Sequence, residues 1–164
     1  MPMPVTTIPV IEKIMQDAEH VLKTINLPTG FPQNPKVERQ GIAEVPADHG
    51  LILLDHDDPV SIDPVVGAYD FAEWMMTLVC VCHCRVSVNA DLHIDTLCHY
   101  FRSAVENKLM EDRHRSVLFG DRFAIDSRII APEYWLSADL AYAGVDVKCS
   151  VHFRTLAEDA FDRV

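Results

Sequence analysis

The sequence predicts an α/β (α+β) fold, a small, mainly antiparallel sheet with two amphipathic helices packed on one face. Three observations predict it. Stretches 8–25 and 94–109 carry apolar residues at the three, four, seven spacing of a helical face. Stretches 72–88 and 145–154 alternate side chains with the period of a strand. Two helical stripes need an apolar surface to cover, and one face of a sheet serves both. The coarse order is helix, two short strands, long strand, helix, strand. A chain of 164 residues fits one domain, 1–164, with 55–71 and 111–143 expected as long loops or arms.

In the first helix Ile11, Ile14, Met15, Ala18, Val21, Leu22 and Ile25 form the stripe. Thr7 is placed to cap its N-terminus, and Pro9 fits the first turn, where its missing N–H has no partner to lose. Asn26 and Pro28 stop it. Glu12, Lys13, Gln16, Asp17 and Lys23 read as its solvated face. "PTGFPQNPK", 28–36, is loop, and a short strand is expected at 37–43. "GLILLD", 50–55, is a stronger strand, apolar and bounded by Gly and Asp. The acidic stretch "HDDPVSIDPVVGAYD" follows as loop.

The long strand puts Trp74, Met76, Leu78, Cys80, Cys82, Cys84, Val86 and Val88 on one face. Met75, Thr77, Val79, Val81, His83, Arg85 and Ser87 lie on the other, a mixed surface suited to partial cover or a partner. Asn89 is placed to cap the second helix, with Asp91 near the positive end of its dipole. Its stripe is Ile94, Leu97, Cys98, Phe101, Ala104, Val105 and Leu109. Residues 128–142 fit either another strand or an irregular arm. In the last strand Val145, Val147, Cys149, Val151 and Phe153 alternate with Asp146, Lys148, Ser150, His152 and Arg154. The tail "LAEDAFDRV" is polar and expected to fray.

Charge narrows the partners. The formal net charge is -11, against the clustered Lys and Arg that duplex DNA binding needs. Between Arg39 and Arg85 there is no Lys or Arg, while Glu44, Asp48, Asp55, Asp57, Asp58, Asp63, Asp70 and Glu73 all fall there. Such a segment repels nucleic acid and attracts a basic protein face, or simply stays hydrated. No apolar run reaches the roughly 20 residues of a bilayer span. The N-terminus "MPMPVTTIPVIEK" lacks a basic region and a cleavage pattern, so no signal peptide is expected. The cysteine number, 5, is odd, and the thiols are expected reduced in a cytosol-like compartment.

"VCVCHC", 79–84, is the most suggestive chemical feature. Same-face residues two apart on a strand are separated by roughly 6.5 to 7 Å. Sulfurs on one tetrahedral zinc sit within roughly 4 Å of each other. Cys80, Cys82 and Cys84 therefore cannot converge on one ion without breaking the strand, and His83 points away. They read as small core residues beneath a helix. His93 and His99 lie off the stripe of Cys98, which disfavours a Cys–His nucleophile. The series Asp55, Asp57, Asp58, Asp63 lacks the glycine and glutamate of an EF-hand. No P-loop, Gly-rich dinucleotide turn, G-x-S-x-G or H-E-x-x-H occurs. No catalytic, cofactor-binding or metal residue is therefore assigned, and an assembly protein is favoured over an enzyme.

The layout resembles the tail terminator proteins of long-tailed bacteriophages, also called tail completion or tail-to-head joining proteins. The likeness covers most of the chain. It rests on the helix "IPVIEKIMQDAEHVLKTI" and the strand "GLILLD" with its Pro- and Asp-containing loop. It continues through the long strand "FAEWMMTLVCVCHCRVSV", the following helix "NADLHIDTLCHYFRSAVENKLMED" and the closing strand "GVDVKCSVHFRT". The stretch "RHRSVLFGDRF" departs from the familiar pattern.

The resemblance implies helices on one side of a small sheet and a homohexameric ring. That ring caps the tail tube, stops its growth and meets a neck or head-completion protein. It implies no catalytic residue, no cofactor and no membrane. Its location would be the head-proximal end of the virion tail, after assembly in the host cytoplasm. DNA would pass through the lumen without specific binding. Asp55, Asp57, Asp58, Asp63, Val79, Val81, His83 and Arg85 are the candidate subunit or lumen surface. Carboxylates lining a lumen would let DNA slide without sticking. Another neck or tail-completion ring component is an alternative. A small thiol- or zinc-dependent enzyme using Cys80, Cys82 and Cys84 is an alternative of a different class.

Overall fold

The computed structural model describes residues 8–27, 35–39, 50–62, 71–85, 93–138 and 142–156. The element order is α1 (Val10–Leu22), β1 (Lys36–Arg39), β2 (Leu51–His56), β3 (Val60–Ile62), β4 (Phe71–Arg85), α2 (Ile94–Glu111), β5 (Asp126–Leu136) and β6 (Tyr142–Leu156). The strands form one sheet in the order β1-β2-β4-β6-β5, with β3 also on β4. β1 and β2 pair in parallel, and every other described pair is antiparallel. The expected mainly antiparallel α+β architecture is what forms.

β4 is the spine of the sheet. It pairs along its whole length with β6, from Phe71↔Leu156 to Arg85↔Tyr142. Its other edge is shared by β2, opposite Leu78 to His83, and β3, opposite Glu73 to Met75. The register aligns Met76, Leu78, Cys80, Cys82 and Cys84 with Val151, Cys149, Val147, Val145 and Ala143. All ten are buried, and the helices cover them with Val10, Ile14, Met15, Ala18 and Leu22 from α1 and Leu97, Cys98, Phe101, Val105 and Leu109 from α2.

Several boundaries differ from the sequence reading. α1 starts at Val10 with Pro9 at the N-cap, so no side chain caps it, and it ends at Leu22. Thr7 and Pro28 lie outside the described residues. α2 begins at Ile94 with His93 at the N-cap, later than a cap at Asn89 would place it, and Asn89 and Asp91 also lie outside the described residues. Asp17, read as solvated, is buried; it is three residues from Ile14 and four from Val21, so it borders the apolar stripe. Of 111–143, expected as loop or arm, residues 126–136 are strand β5 and 142–143 open β6. A register shift between Ile130 and Glu133 breaks the β5 alternation there. Within 55–71, β2 runs to His56, β3 occupies Val60–Ile62, and Phe71 opens β4. Among the described residues no helix is long and apolar enough to cross a membrane.

Candidate functional site: the uncovered sheet face

Both helices lie on the cysteine side of the sheet. Among the described residues no helix packs on the opposite face. That face is built by the residues alternating with the core set: Glu73, Met75, Thr77, Val79, Val81, His83 and Arg85 of β4, and their β6 partners from Arg154 to Tyr142. Val79, Val81, His83 and Arg85 thus fall on the face the alternation assigned them, each partly covered. Val60, Met75 and Ile130 on the same face are exposed.

Charges on this face are mostly paired. Glu73 accepts from Arg154 Nε at 2.6 Å and lies 3.1 Å from His152 Nε2, and the Arg154 bond holds its carboxyl below the usual range. Arg154 also stacks over Phe71, 4.7 Å from the ring centre. Lys148 donates to Glu133 at 2.9 Å. At the opposite end Trp135 Nε1 donates to Asp146 at 2.8 Å, and its ring meets His83 edge-on at 4.9 Å. Burial pushes the His83 pKa down, so its imidazole is neutral there. Arg85 lies over the Tyr142 ring at 5.5 Å.

The two sides of the sheet differ in charge. The end of β2 presents Asp55 and the β2–β3 turn presents Asp57 and Asp58, all exposed, and none is within ion-pair distance of a Lys or Arg among the described residues. Asp63 lies outside the described residues. The far edge is β5, where Arg113 and Arg128 share one carboxylate. Arg113 Nη2 is 2.6 Å from Asp126 Oδ1, and Arg128 Nε is 3.0 Å from Asp126 Oδ2. Two guanidinium groups on one carboxylate leave that cluster net positive.

The cysteine run sits on the core side. All five cysteines are buried free thiols. Burial pushes the Cys80 and Cys82 thiols up, and a hydrogen bond with Cys98, added to burial, pushes Cys84 up. A thiol raised this way supplies almost no thiolate, the form needed by a nucleophile or a metal ligand. The described residues contain no group of three or more His, Cys, Asp or Glu that could hold a metal ion. His99, expected off the Cys98 stripe, instead meets the Tyr134 hydroxyl at 3.1 Å.

A buried polar cluster escaped the sequence reading. Arg115 is fully buried, left-handed at φ 51°, and its Nη2 donates to the Leu109 carbonyl. Asp112 accepts from the amides of Ser116 and Val117; burial pushes its pKa up, but those bonds outweigh it and hold it low. Asp17 accepts from the Leu118 amide at 2.8 Å, and burial pushes its pKa up. The cluster pins the loop after α2 to α1. The stretch "RHRSVLFGDRF", 113–123, supplies Arg115 and the amides of Ser116, Val117 and Leu118 to it.

Among the described residues, apolar clefts flank the sheet at two places. One of about 320 Å³ lies between the start of α2 and the β5–β6 end, lined by Ile94, Cys98, Tyr134, Trp135, Leu136 and Ala143 among others. The other, about 230 Å³, lies between Pro9, Ile11, Pro59, Trp74, Phe153 and Thr155. No protein-family model matches the sequence, and no curated protein matches it either.

Proposed function

We propose that this chain is a structural ring protein of the phage tail terminator kind, which caps a tail tube and joins it to the neck. The observation that carries the reading is the one-sided sheet. Among the described residues both helices cover one face of the sheet, no helix covers the other, and no further strand pairs with the outer strands β1 and β5, which leaves these surfaces for contacts with neighbouring subunits. The order of elements, with a long central strand followed by α2 and a long closing strand, supports the same reading. In this proposal the ring is a homohexamer at the head-proximal end of the tail. The tail tube protein and a neck protein are its partners, and DNA passes through the lumen without specific contacts.

The enzyme alternative built on Cys80, Cys82 and Cys84 draws no support from the site. Their side chains face the core, and burial disfavours the thiolate.

The test is tube polymerisation. The tail tube protein from the same genome is assembled with and without the purified chain and viewed by negative-stain electron microscopy. The expected result is shorter tubes, each ending in a ring at one tip. Tubes of unchanged length with bare ends, and no co-sedimentation of the chain, would overturn the proposal. Metal analysis of untagged protein addresses the alternative: about one zinc per chain would revive it.

A further inference from the structure

Beyond the reach of β1, which pairs β2 only from Leu51 to Leu54, the β2–β3 turn forms the margin of the sheet, and it matches the β5 edge in level, in charge and in apolar content. The Asp57 amide donates to the Thr77 carbonyl at 3.0 Å. Thr77 pairs with Ser150, and Ser150 pairs with Arg128. Asp57 and Arg128 therefore end the same transverse row of the sheet on opposite sides. Next to Asp57 and Asp58 stands Val60, 68% exposed. Next to Arg128 stands Ile130, 41% exposed, on the same sheet face as Val60. The Arg128 side chain is 79% exposed and that of Arg113 is 49% exposed.

We infer that copies of this chain associate head to tail, the β5 edge of one seated against the β2–β3 turn of the next. Arg128 and Arg113 of one copy face Asp57 and Asp58 of its neighbour, and Ile130 packs towards Val60. The occupant is a second copy because each edge carries what the other lacks: unpaired carboxylates on one side, surplus guanidinium on the other, and an exposed aliphatic beside each. Two different surfaces meet, so the contact is heterologous and repeats around a ring. The inference rests on the ring reading and assigns the acidic turn to the subunit contact rather than to the lumen.

The test exchanges the charges. Asp57→Lys with Asp58→Lys makes one edge basic, and Arg128→Glu makes the other acidic. All positions are exposed, and circular dichroism with a thermal melt checks that each variant folds. Assembly is read by analytical ultracentrifugation at low ionic strength and by ring formation on tube tips. Each variant alone should associate at least about tenfold more weakly than the wild type, because like charges then meet at every contact. An equimolar mixture of the two variants should recover, since alternating copies pair opposite charges at both kinds of contact. A single chain carrying all three substitutions should recover as well. If the wild type forms rings and the separate variants form them equally well, the edge contact is refuted and the ring reading survives. Loss in each variant without recovery in the mixture or the triple variant also refutes it. If the wild type forms no ring even on tubes, both readings fall together.

Discussion

The indole of Trp135 rests against Gly144 so closely that no side chain fits between them. A Cβ on Gly144 would lie 2.4 Å from Trp135 Cζ2 and 2.1 Å from the carbonyl oxygen of Cys82. The indole is a side chain and can shift; the carbonyl belongs to the central strand and cannot. Gly144→Ala should therefore destabilise the fold by about 1 to 3 kcal/mol, the usual cost of overpacking. The Trp135 fluorescence of the folded protein should change, as the bond to Asp146 is disturbed. Urea unfolding of the two proteins side by side gives the answer, and equal midpoints would contradict the close approach.

The thiols should be silent in the native state. A thiol-reactive dye should label the folded protein slowly and reach five groups per chain only in denaturant. Cys98, which borders the cleft beside Trp135, should be modified first. Fast labelling of Cys80 or Cys82 in the folded chain, located by peptide mapping, would show that the sheet core is open.

The Glu12–Arg39 pair ties α1 to β1 with two parallel bonds of 2.7 and 2.8 Å. The Arg39 hydrogen bond lowers the Glu12 pKa from 4.5 to about 2. The unfolded chain therefore takes up the proton first as pH falls. The stabilisation is whole above about pH 4.5 and is lost as pH drops towards 2. Both side chains are partly exposed, so solvent screening keeps the contribution near 1 kcal/mol. Glu12→Gln should lose about that much at neutral pH, and the gap to wild type should close in acid. A gap independent of pH would rule out the ion pair as its source.

Arg115 is a fully buried cation beside two buried carboxylates. Arg115→Ala removes the bond to the Leu109 carbonyl and the nearby positive charge that favours the Asp17 and Asp112 carboxylates, and it leaves a cavity; large-to-small changes of this kind typically cost about 2 to 5 kcal/mol. Chemical denaturation should show this as a large fall in midpoint. A loss below about 1 kcal/mol would mean that water reaches the guanidinium.

Much of the fold is legible in the sequence, because simple periods survive in the elements that build the core. Met76, Leu78, Cys80, Cys82 and Cys84 alternate without a break, so their facing residues and the orientation of His83 follow from position alone. Both helical stripes are equally plain. β5 is hidden for the opposite reason. Ser127 and Ile129 point to the core, but after the bulge the inward positions are Tyr134 and Leu136, so parity reverses within one strand. The Asp17 cluster is hidden because its partner amide is 101 residues away, and a lone acid beside an apolar stripe looks solvated until that partner is known. The acidic turn was visible as composition, whereas its relation to Arg128 needed the order of strands.

Pro132 lies inside the β5 bulge, on an outermost strand of the sheet. Proline offers no N–H, and the bulge turns the backbone out of line, so a stray strand laid along β5 loses its ladder midway. That interruption guards the concentrated protein against slow growth into fibres. Replacing Pro132 with a β-branched residue should shorten its shelf life before it changes its melting temperature.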